Sequence, residues 1–222
     1  MRIPLTRIQR LIGERMLKSK LTKPCFYIES KADITELMSL RGKLSKSSGV
    51  KITSNTFFIR ALATAAKKYP IVTGKLDGES IKVAEAINVG FAVHSPQGLV
   101  VPVIKDADRK TLAEIAEQDK LLTEKARSNK LTLTDMEGET IAISNLGVYG
   151  VDYFFGIVPP QASTILAVGN VNRAVVLQNG SMVVRKLTSL TLAVDGRVIN
   201  EFYAARFLKF IVEQLQNPGG LT

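Results

Sequence analysis

The chain has 222 residues, of which 45% are hydrophobic and 23% charged, so it is long and apolar enough to bury a sizeable core and is not typical of disorder. Its net charge of +10 favours anionic partners, and its single cysteine, Cys25, excludes an internal disulfide and a cysteine-based metal cluster. No apolar run is long enough to span a bilayer, and the first ten residues lack a signal-peptide core. We therefore expect no membrane partner and a reducing compartment, either the cytoplasm or, in a eukaryote, the mitochondrial matrix.

The first part of the chain is predicted to form helices around one strand. Apolar residues recur at helical spacing over residues 6–18, and residues 25–32 alternate as in a strand. The spacing of Asp33 and Glu36 predicts a capped helix that starts at Asp33. A third helix is expected after Ser54. Its buried face should carry Phe57, Phe58, Ala61, Leu62 and Ala65.

The middle of the chain is predicted to change to strands. The pattern of residues 87–93 and 98–104 predicts two apolar strands joined by a turn. Thr111 and Glu114 have the spacing of a capping box, which predicts the start of another helix. The helix that begins at Thr111 should bury Ile115, Leu122 and Ala126. Residues 140–144 are predicted to form a buried strand.

The last part of the chain is predicted to contain a hairpin and a closing helix. Residues 164–169 are predicted to form a buried strand, and Asn179-Gly180 between two alternating runs is a strong hairpin signal. Residues 190–194 are predicted to form a further strand and residues 199–216 a helix. We expect that helix to bury Phe202, Ala205, Leu208 and Ile211. Strands with helices packed on one face predict an α+β sandwich.

Five segments identify a family by their order along the chain. They are IPLTRIQRLIGERM, KPCFYIESKADITEL, NVGFAVHSPQGLVVPVIKDADRKTLAEI, AISNLGVYGVDYFFGIVPPQASTILAVG and LTLAVDGRVINEFYAARFL. Together they resemble the core domain of dihydrolipoamide acyltransferases of 2-oxoacid dehydrogenase complexes. The resemblance implies a chloramphenicol acetyltransferase-like two-layer sandwich, with a mixed sheet and helices on one face. It also implies that residues 1–222 form a single core domain, and that the protein is a homotrimer, or a larger core assembly, with active sites between subunits.

The resemblance also implies the roles of several site residues. Acyl transfer between thiols needs a base to form the attacking thiolate and a donor that stabilises the oxyanion. In the family the base is a histidine, at the position that Gly196 occupies here, and Asn200 lies within the family's own variation. Ser144 matches the serine that stabilises the oxyanion in a neighbouring subunit's site. Asp195 and Arg197 match a structural salt bridge that fixes the loop.

Two arginines are the candidates for cofactor binding. Arg7 and Arg10 lie on the predicted first helix, in the segment that contacts coenzyme A in the family, and arginine suits phosphate recognition. The alternative is an ordinary solvent-facing helix surface. The resemblance implies coenzyme A as a substrate, a lipoyl group presented by a partner domain, the other components of the dehydrogenase complex as partners, and no metal.

Besides Gly196, three residues depart from the family pattern. Glu201 replaces a nearly fixed glycine, which could hold backbone angles that glutamate resists. His94, the only histidine, is expected in a surface turn far in sequence from Gly196. Cys25 stands where many members of the family have histidine, and we expect it to pack as a small side chain.

Three functions are open at this stage. A glycine cannot take a proton, so the first is an impaired member of the family that serves as a scaffold subunit, as in the family's dehydrogenase-binding component, which also lacks the histidine. The second is an active acyltransferase with a substitute base, since a general base typically contributes about 10²–10⁴-fold. The third is a basic nucleic-acid-binding module. It ranks last because the lysines are dispersed and no recognition motif is present, so we expect no nucleic-acid partner.

Overall fold

A computed structural model of the chain describes residues 1–96 and 98–222, apart from the side chains of residues 7 and 8. The α-helices are α1 (Arg7–Thr22), α2 (Thr35–Ser48), α3 (Ser54–Lys68), α4 (Leu112–Arg127), α5 (Leu133–Met136) and α6 (Glu201–Gln216). The strands are β1 (Cys25–Asp33), β2 (Lys75–Asp77), β3 (Ser80–Lys82), β4 (Val89–Phe91), β5 (Val93–Ser95), β6 (Gly98–Val100), β7 (Val103–Ile104), β8 (Ile141–Asn145), β9 (Thr164–Gln178) and β10 (Ser181–Asp195). None of the described helices is both long and apolar enough to cross a bilayer.

Six of the strands form one mixed sheet in the order β1-β10-β9-β8-β4-β7. The pairs β1–β10, β10–β9 and β4–β7 are antiparallel, whereas β8 is parallel to both β9 and β4. Two short hairpins, β2–β3 and β5–β6, stand apart from this sheet.

The main core lies between one face of the sheet and the helices α2, α3, α4 and α6. Its largest side chains are fully buried and include Phe57, Phe58 and Phe207. The opposite face carries a smaller cluster of Ala142, Val158, Ile165 and Ala193. The α+β sandwich that the sequence predicts is therefore confirmed, with the buried face of α3 as expected.

The longest hairpin confirms the turn signal and corrects one strand. Asn179 and Gly180 both have positive φ, 50° and 77°, as a two-residue hairpin turn requires. Residues 190–194 are not a separate strand, because β10 runs unbroken from the turn to Asp195. A bulge beside Thr188 lets one long strand follow two different stretches of β9.

The start of α2 differs from the prediction. Asp33 is the last residue of β1, and the N-cap of α2 is Ile34, which makes no side-chain cap. The Asp33 carboxylate accepts hydrogen bonds from the backbone N and the hydroxyl of Thr35, at 2.9 and 2.6 Å, and lies 3.6 Å from Arg185. Sheet pairing therefore holds Asp33 one residue too early to cap the helix in the predicted way.

Two further predictions are corrected in detail. The apolar stretches 87–93 and 98–104 are each broken into two strands, and Gln97 in their connection lies outside the described residues. In α6 the predicted inner residues Leu208 and Ile211 are buried, but Phe202 is 72% exposed and Ala205 is also exposed. The buried stripe of α6 instead runs through Ala204, Phe207, Leu208, Ile211, Val212 and Leu215.

Candidate functional site

The loop between β10 and α6 is fixed by an internal ion pair. The Arg197 Nε and Nη2 atoms donate to the two carboxylate oxygens of Asp195, at 2.9 and 2.7 Å, and the Arg197 backbone N donates at 3.1 Å. Asp195 is only 1% exposed. The hydrogen bonds to Asp195 raise the pKa of the Arg197 guanidinium. A bidentate pair on a buried carboxylate gives the loop one defined shape.

Gly196 is exposed, but its backbone lies against the residue ahead of β1. Its backbone N donates to the carbonyl oxygen of Pro24 at 3.0 Å. A Cβ atom added to Gly196 would stand 2.9 Å from that same oxygen and 3.6 Å from Cδ1 of Phe26. A side chain at this position would therefore have to displace backbone, although the φ angle is not one that favours glycine.

Asn200 and Glu201 begin the last helix. The Asn200 side chain accepts a hydrogen bond from the Tyr203 backbone N at 2.9 Å, so Asn200 is the N-cap of α6. Glu201 is exposed in the first turn and is not among the residues with positive φ. The expected backbone conflict at Glu201 is therefore wrong, because a glutamate there is helical and interacts favourably with the helix dipole.

Ser144 lies far from Gly196 within one copy of the chain. Ser144 is opposite Ala167 on β9, whereas the Asp195 backbone N bonds to the carbonyl oxygen of Ser163. Four residues along β9 and two strand spacings separate the two sites, which is roughly 16 Å by strand geometry. One copy therefore does not bring Ser144 to Gly196, and a site that contains both needs a second copy.

A lysine that the sequence analysis missed joins two loops beside the loop glycine. Lys23 Nζ donates to the carbonyl oxygens of Pro159, Pro160 and Ala162, at 2.7, 3.2 and 2.5 Å. Burial lowers the pKa of Lys23, while the Asp195 carboxylate opposes that shift. Because all three donors of the ammonium group are used, Lys23 holds this proline-containing turn against the start of β1.

A second missed residue is Glu139, on the face of the sheet opposite the helices. Its Oε2 atom is buried and has no hydrogen-bond partner among the described residues. A Cβ added to Gly90 would lie 2.6 Å from this oxygen. Burial raises the pKa of Glu139 despite the nearby positive charges of Arg15, Lys75 and Lys23. Lys23 opens one of the five family segments but has no role assigned there, and Glu139 lies outside all five, so only three-dimensional contacts could single them out.

The predicted cofactor residues lie on α1. Arg10 is exposed there, and the side chain of Arg7 lies outside the described residues. The helix starts with a capping box of Thr6 and Gln9 and is exposed over most of its length. The part of the chain that the structure describes holds no group of three or more His, Cys, Asp or Glu residues placed to bind a metal.

Of the two residues with reactive side chains, Cys25 lies beside the Gly196 loop, opposite Asp195 in the β1–β10 pair, whereas His94 lies in a separate hairpin. His94 lies within β5, opposite Leu99, and not in the turn that was expected. Cys25 begins β1 and is half-buried beside the smaller apolar cluster. Burial raises the pKa of the Cys25 thiol, which favours the neutral and unreactive form.

Comparison with solved structures identifies the fold. Chloramphenicol acetyltransferase superimposes with a TM-score of 0.56 over 91% of this chain and 94% of that one, at 14% identity. The described sheet and its helical layer are thus those of the chloramphenicol acetyltransferase fold.

Comparison of sequences identifies the family. The model of the 2-oxoacid dehydrogenases acyltransferase (catalytic domain) family matches residues 1–222, and the chain therefore belongs to that family. The pyruvate dehydrogenase protein X component of Mus musculus is 35% identical over 97% of this chain and 44% of its own length. The dihydrolipoyllysine-residue succinyltransferase component of the Haemophilus influenzae 2-oxoglutarate dehydrogenase complex is 34% identical over 98% and 54%. The chain thus spans about half the length of the curated relatives it matches.

A solved structure extends the likeness to the whole described chain. The dihydrolipoamide acetyltransferase of Azotobacter vinelandii, studied for the role of a serine, a histidine and an asparagine in its mechanism, has a TM-score of 0.94 and 32% identity. That match covers 100% of this chain and 93% of that chain.

Proposed function

We propose that this chain is the coenzyme A-dependent acyltransferase-type core of a 2-oxoacid dehydrogenase-type complex that has lost its general base and serves mainly as a scaffold subunit. The observation that carries the proposal is Gly196, at the position of the family histidine. Glycine has no group that can accept the proton of a thiol, and thiol deprotonation precedes attack.

Residue spacing supports the placement of Gly196. In the Azotobacter vinelandii protein the serine precedes the histidine by 52 residues and the asparagine follows it by four. Ser144, Gly196 and Asn200 have the same two separations. This agreement in spacing supports the assignment of Ser144 and Asn200 to the serine and asparagine positions and of Gly196 to the histidine position.

The rest of the site retains what a scaffold would need. The ion pair between Asp195 and Arg197, the N-cap at Asn200 and the contacts of Lys23 are all structural, and none of them depends on a base. Sequence identity does not distinguish a scaffold subunit from an active transferase, because the relative named as protein X component is as similar to this chain as the one named as a succinyltransferase component.

Assembly is the second part of the proposal. Four large apolar side chains on one face of the β9–β10 hairpin are 60–83% exposed, and single chains rarely leave such a group uncovered. They are Val175, Leu177, Met182 and Val184. We expect a homotrimer or a larger core assembly that binds the other components of the dehydrogenase complex. A relative described as the cubic core of the pyruvate dehydrogenase multienzyme complex has a TM-score of 0.94 and supports this expectation.

Coenzyme A is the expected small-molecule ligand, and a partner domain would present the lipoyl group. Arg10 is exposed on α1, and the chain's net charge of +10 attracts phosphate groups at long range. From the sequence, Arg7 is also predicted to contact the phosphate groups of coenzyme A.

An active acyltransferase with a substitute base is the alternative, and Glu139 is the observation that favours it. Thr140, the residue after Glu139, lies just ahead of β8 and level with Ser163, which lies just ahead of β9. The carbonyl oxygen of Ser163 accepts a hydrogen bond from the Asp195 backbone N. Glu139 therefore lies at the same end of the sheet as Gly196, about two strand spacings or 10 Å away. A buried carboxylate with a raised pKa is a better base than an exposed one.

Transfer of the acetyl group from acetyl-CoA to dihydrolipoamide tests the proposal. We expect coenzyme A to bind and the oligomer to form, with transfer at background near pH 7. Turnover of ordinary enzymatic size, on the order of 1–10³ per second, would refute the impaired role. If such turnover appears and Glu139→Gln abolishes it while coenzyme A still binds, the alternative is correct.

A further inference from the structure

The one histidine of the chain lies beside the end of β8. Phe91 of β4 is paired with Ile143 of β8, and the backbone N of Ala92 donates to the carbonyl oxygen of Ile143 at 3.0 Å. The chain then continues into β5, where His94 is exposed. His94 is thus two residues beyond the level of Ser144 and one strand away, which is roughly 8 Å between Cα atoms by strand geometry.

His94 and Ser144 also face the same side of the sheet. Ala142 belongs to the smaller apolar cluster, on the face opposite the helices, whereas Ile143 belongs to the main core. Because side chains alternate along a strand, Ser144 faces the side of Ala142. Val93 packs in the main core and the next residue, His94, is exposed, so His94 points to the side of Ser144.

Within one copy, His94 is even farther from Gly196 than Ser144 is. Three strand spacings and about six residues along the strands separate the two positions, which is roughly 25 Å by strand geometry. His94 can therefore approach only the Gly196 loop of a second copy. A contact between copies that brings Ser144 to Gly196 also carries His94 towards it, because Ser144 and His94 are neighbours on one face.

We propose that His94 is a third member of the site formed by Ser144 of one copy and the Gly196 loop of the next (the shared site), and that its imidazole binds the thiol of the substrate there. The inference rests on the proposed function, which has its site between two copies, and adds a residue that contacts the sulfur. The ligand class is a thiol, either coenzyme A or a dihydrolipoyl group. A neutral imidazole has one acceptor nitrogen and a thiol S–H is a weak donor, so one S–H···N hydrogen bond joins them.

This contact is compatible with an impaired site. The Gly196 loop is held by the buried Asp195 and its bidentate arginine, whereas His94 is exposed on a short hairpin of its own. Efficient proton transfer needs a base that is held in place relative to the proton it takes. His94 therefore helps to hold the thiol and does not replace the family histidine, so transfer stays at background.

Affinity labelling tests the contact with the thiol. The protein carries Cys25→Ser, and the probes are the bromoacetyl thioesters of coenzyme A and of dihydrolipoamide. With a probe bound, an imidazole nitrogen of His94 should displace bromide from the bromoacetyl carbon, and the imidazole proton goes to solvent. We expect labelling to exceed that by free bromoacetamide by roughly tenfold or more, since a bound reagent reacts at high effective concentration. The probe that labels His94 identifies which thiol it contacts.

Peptide mass spectrometry locates the label, and free coenzyme A or dihydrolipoamide should protect His94 from the matching probe. The matched variant, His94→Gln, should bind the probe without gaining a label at residue 94. A label on lysines alone, or no label from either probe while calorimetry shows the probe bound, would overturn the inference.

Cross-linking between separate preparations tests whether the contact runs between copies. In a Cys25→Ser background, His94→Cys protein is reassembled together with Glu201→Cys protein, whose cysteine is exposed in the first turn of α6, next to the Gly196 loop. We expect a short bismaleimide to join one chain of each kind. Glu117→Cys, exposed on α4, replaces His94→Cys in the control and should give no pair. If both cysteines react with a monofunctional maleimide and no mixed pair forms, the contact between copies is wrong.

Three other results separate this inference from the proposed function. An oligomer that binds coenzyme A but leaves His94 unlabelled would overturn the inference and leave the scaffold role standing. Turnover of ordinary enzymatic size that His94→Gln abolishes would uphold the contact and overturn the impaired role. A chain that remains monomeric at all concentrations would overturn both.

Discussion

The backbone of Gly196 is bonded to Pro24 so closely that the same oxygen limits what can replace the glycine. The hydrogen bond is 3.0 Å long, and a Cβ at residue 196 would stand 2.9 Å from its acceptor. A histidine can thus enter this position only if the segment around Pro24 moves.

Restoring the base is the most direct prediction from this contact. We expect Gly196→His to lower the free energy of unfolding by about 1–3 kcal/mol, because it overpacks the loop. If only the base is missing, acetyl transfer should nevertheless rise by roughly 10²-fold or more. Gly196→Ala adds the same Cβ without a base, so it should lose stability and gain no transfer.

The oxyanion donor can be tested in the same background. Ser144→Ala added to Gly196→His should cancel most of the gained transfer, because removing one oxyanion donor typically costs about 10²–10³-fold. Glu201→Gly should not improve the His variant, since Glu201 already sits in ordinary helix. If Gly196→His folds, assembles and binds coenzyme A without any gain in transfer, more than the base has been lost.

The ion pair of the loop should contribute measurably to stability. Arg197→Met leaves the buried Asp195 carboxylate without its bidentate partner, and the loss of such charge-assisted bonds is worth about 1.5–3 kcal/mol. Urea denaturation would measure the change. As the matched control, Lys209→Met breaks the exposed pair with Glu213 and should cost less than about 1 kcal/mol.

The stability of the α3–α4 contact should depend on pH. Asp119 is buried, and burial raises its pKa against hydrogen bonds from Asn55 and Thr123. A carboxyl group with a raised folded pKa binds its proton more tightly when folded. The contribution of Asp119 to the free energy of unfolding is therefore greatest below the unfolded pKa of about 3.9, and it is lost as the pH rises through the folded pKa.

Replacement of that carboxyl group should reverse this loss. Asp119→Asn cannot ionise, so it should raise the melting temperature near pH 7 and flatten the stability profile between acidic and neutral pH. Asn55→Ala should instead cost about 1 kcal/mol at pH 7, because the charged carboxylate loses a donor. An Asp119→Asn protein that is less stable than the parent at pH 7 would contradict the assignment.

Binding of coenzyme A should depend on the first helix. We expect Arg10→Gln to weaken binding about threefold to tenfold and to reduce its sensitivity to salt, as the loss of one phosphate contact would. Calorimetry at two salt concentrations would measure both effects. Lys43→Gln on α2 removes one positive charge elsewhere and serves as the control.

The sequence predicts the fold well where local chemistry decides the structure. Asn179-Gly180 needs positive φ at both residues, and Thr111 with Glu114 forms a capping box, so both features appear where expected. The prediction that Phe202 is buried is wrong because the helical period alone does not say which side of α6 meets the sheet. The position of Gly196 could be inferred from the family motif, whereas its contact with the proline ahead of β1 depends on two segments far apart in the chain.

The three carbonyl oxygens around Lys23 also form a small cage that can distinguish cations by shape. They match the three N–H bonds of a tetrahedral ammonium group, whereas the donors of a guanidinium group lie in one plane. Lys23→Arg should therefore destabilise the turn, although it keeps the charge. In Lys23→Ala the empty cage should accept a free primary ammonium ion, so methylammonium salts should raise that variant's melting temperature more than tetramethylammonium salts do.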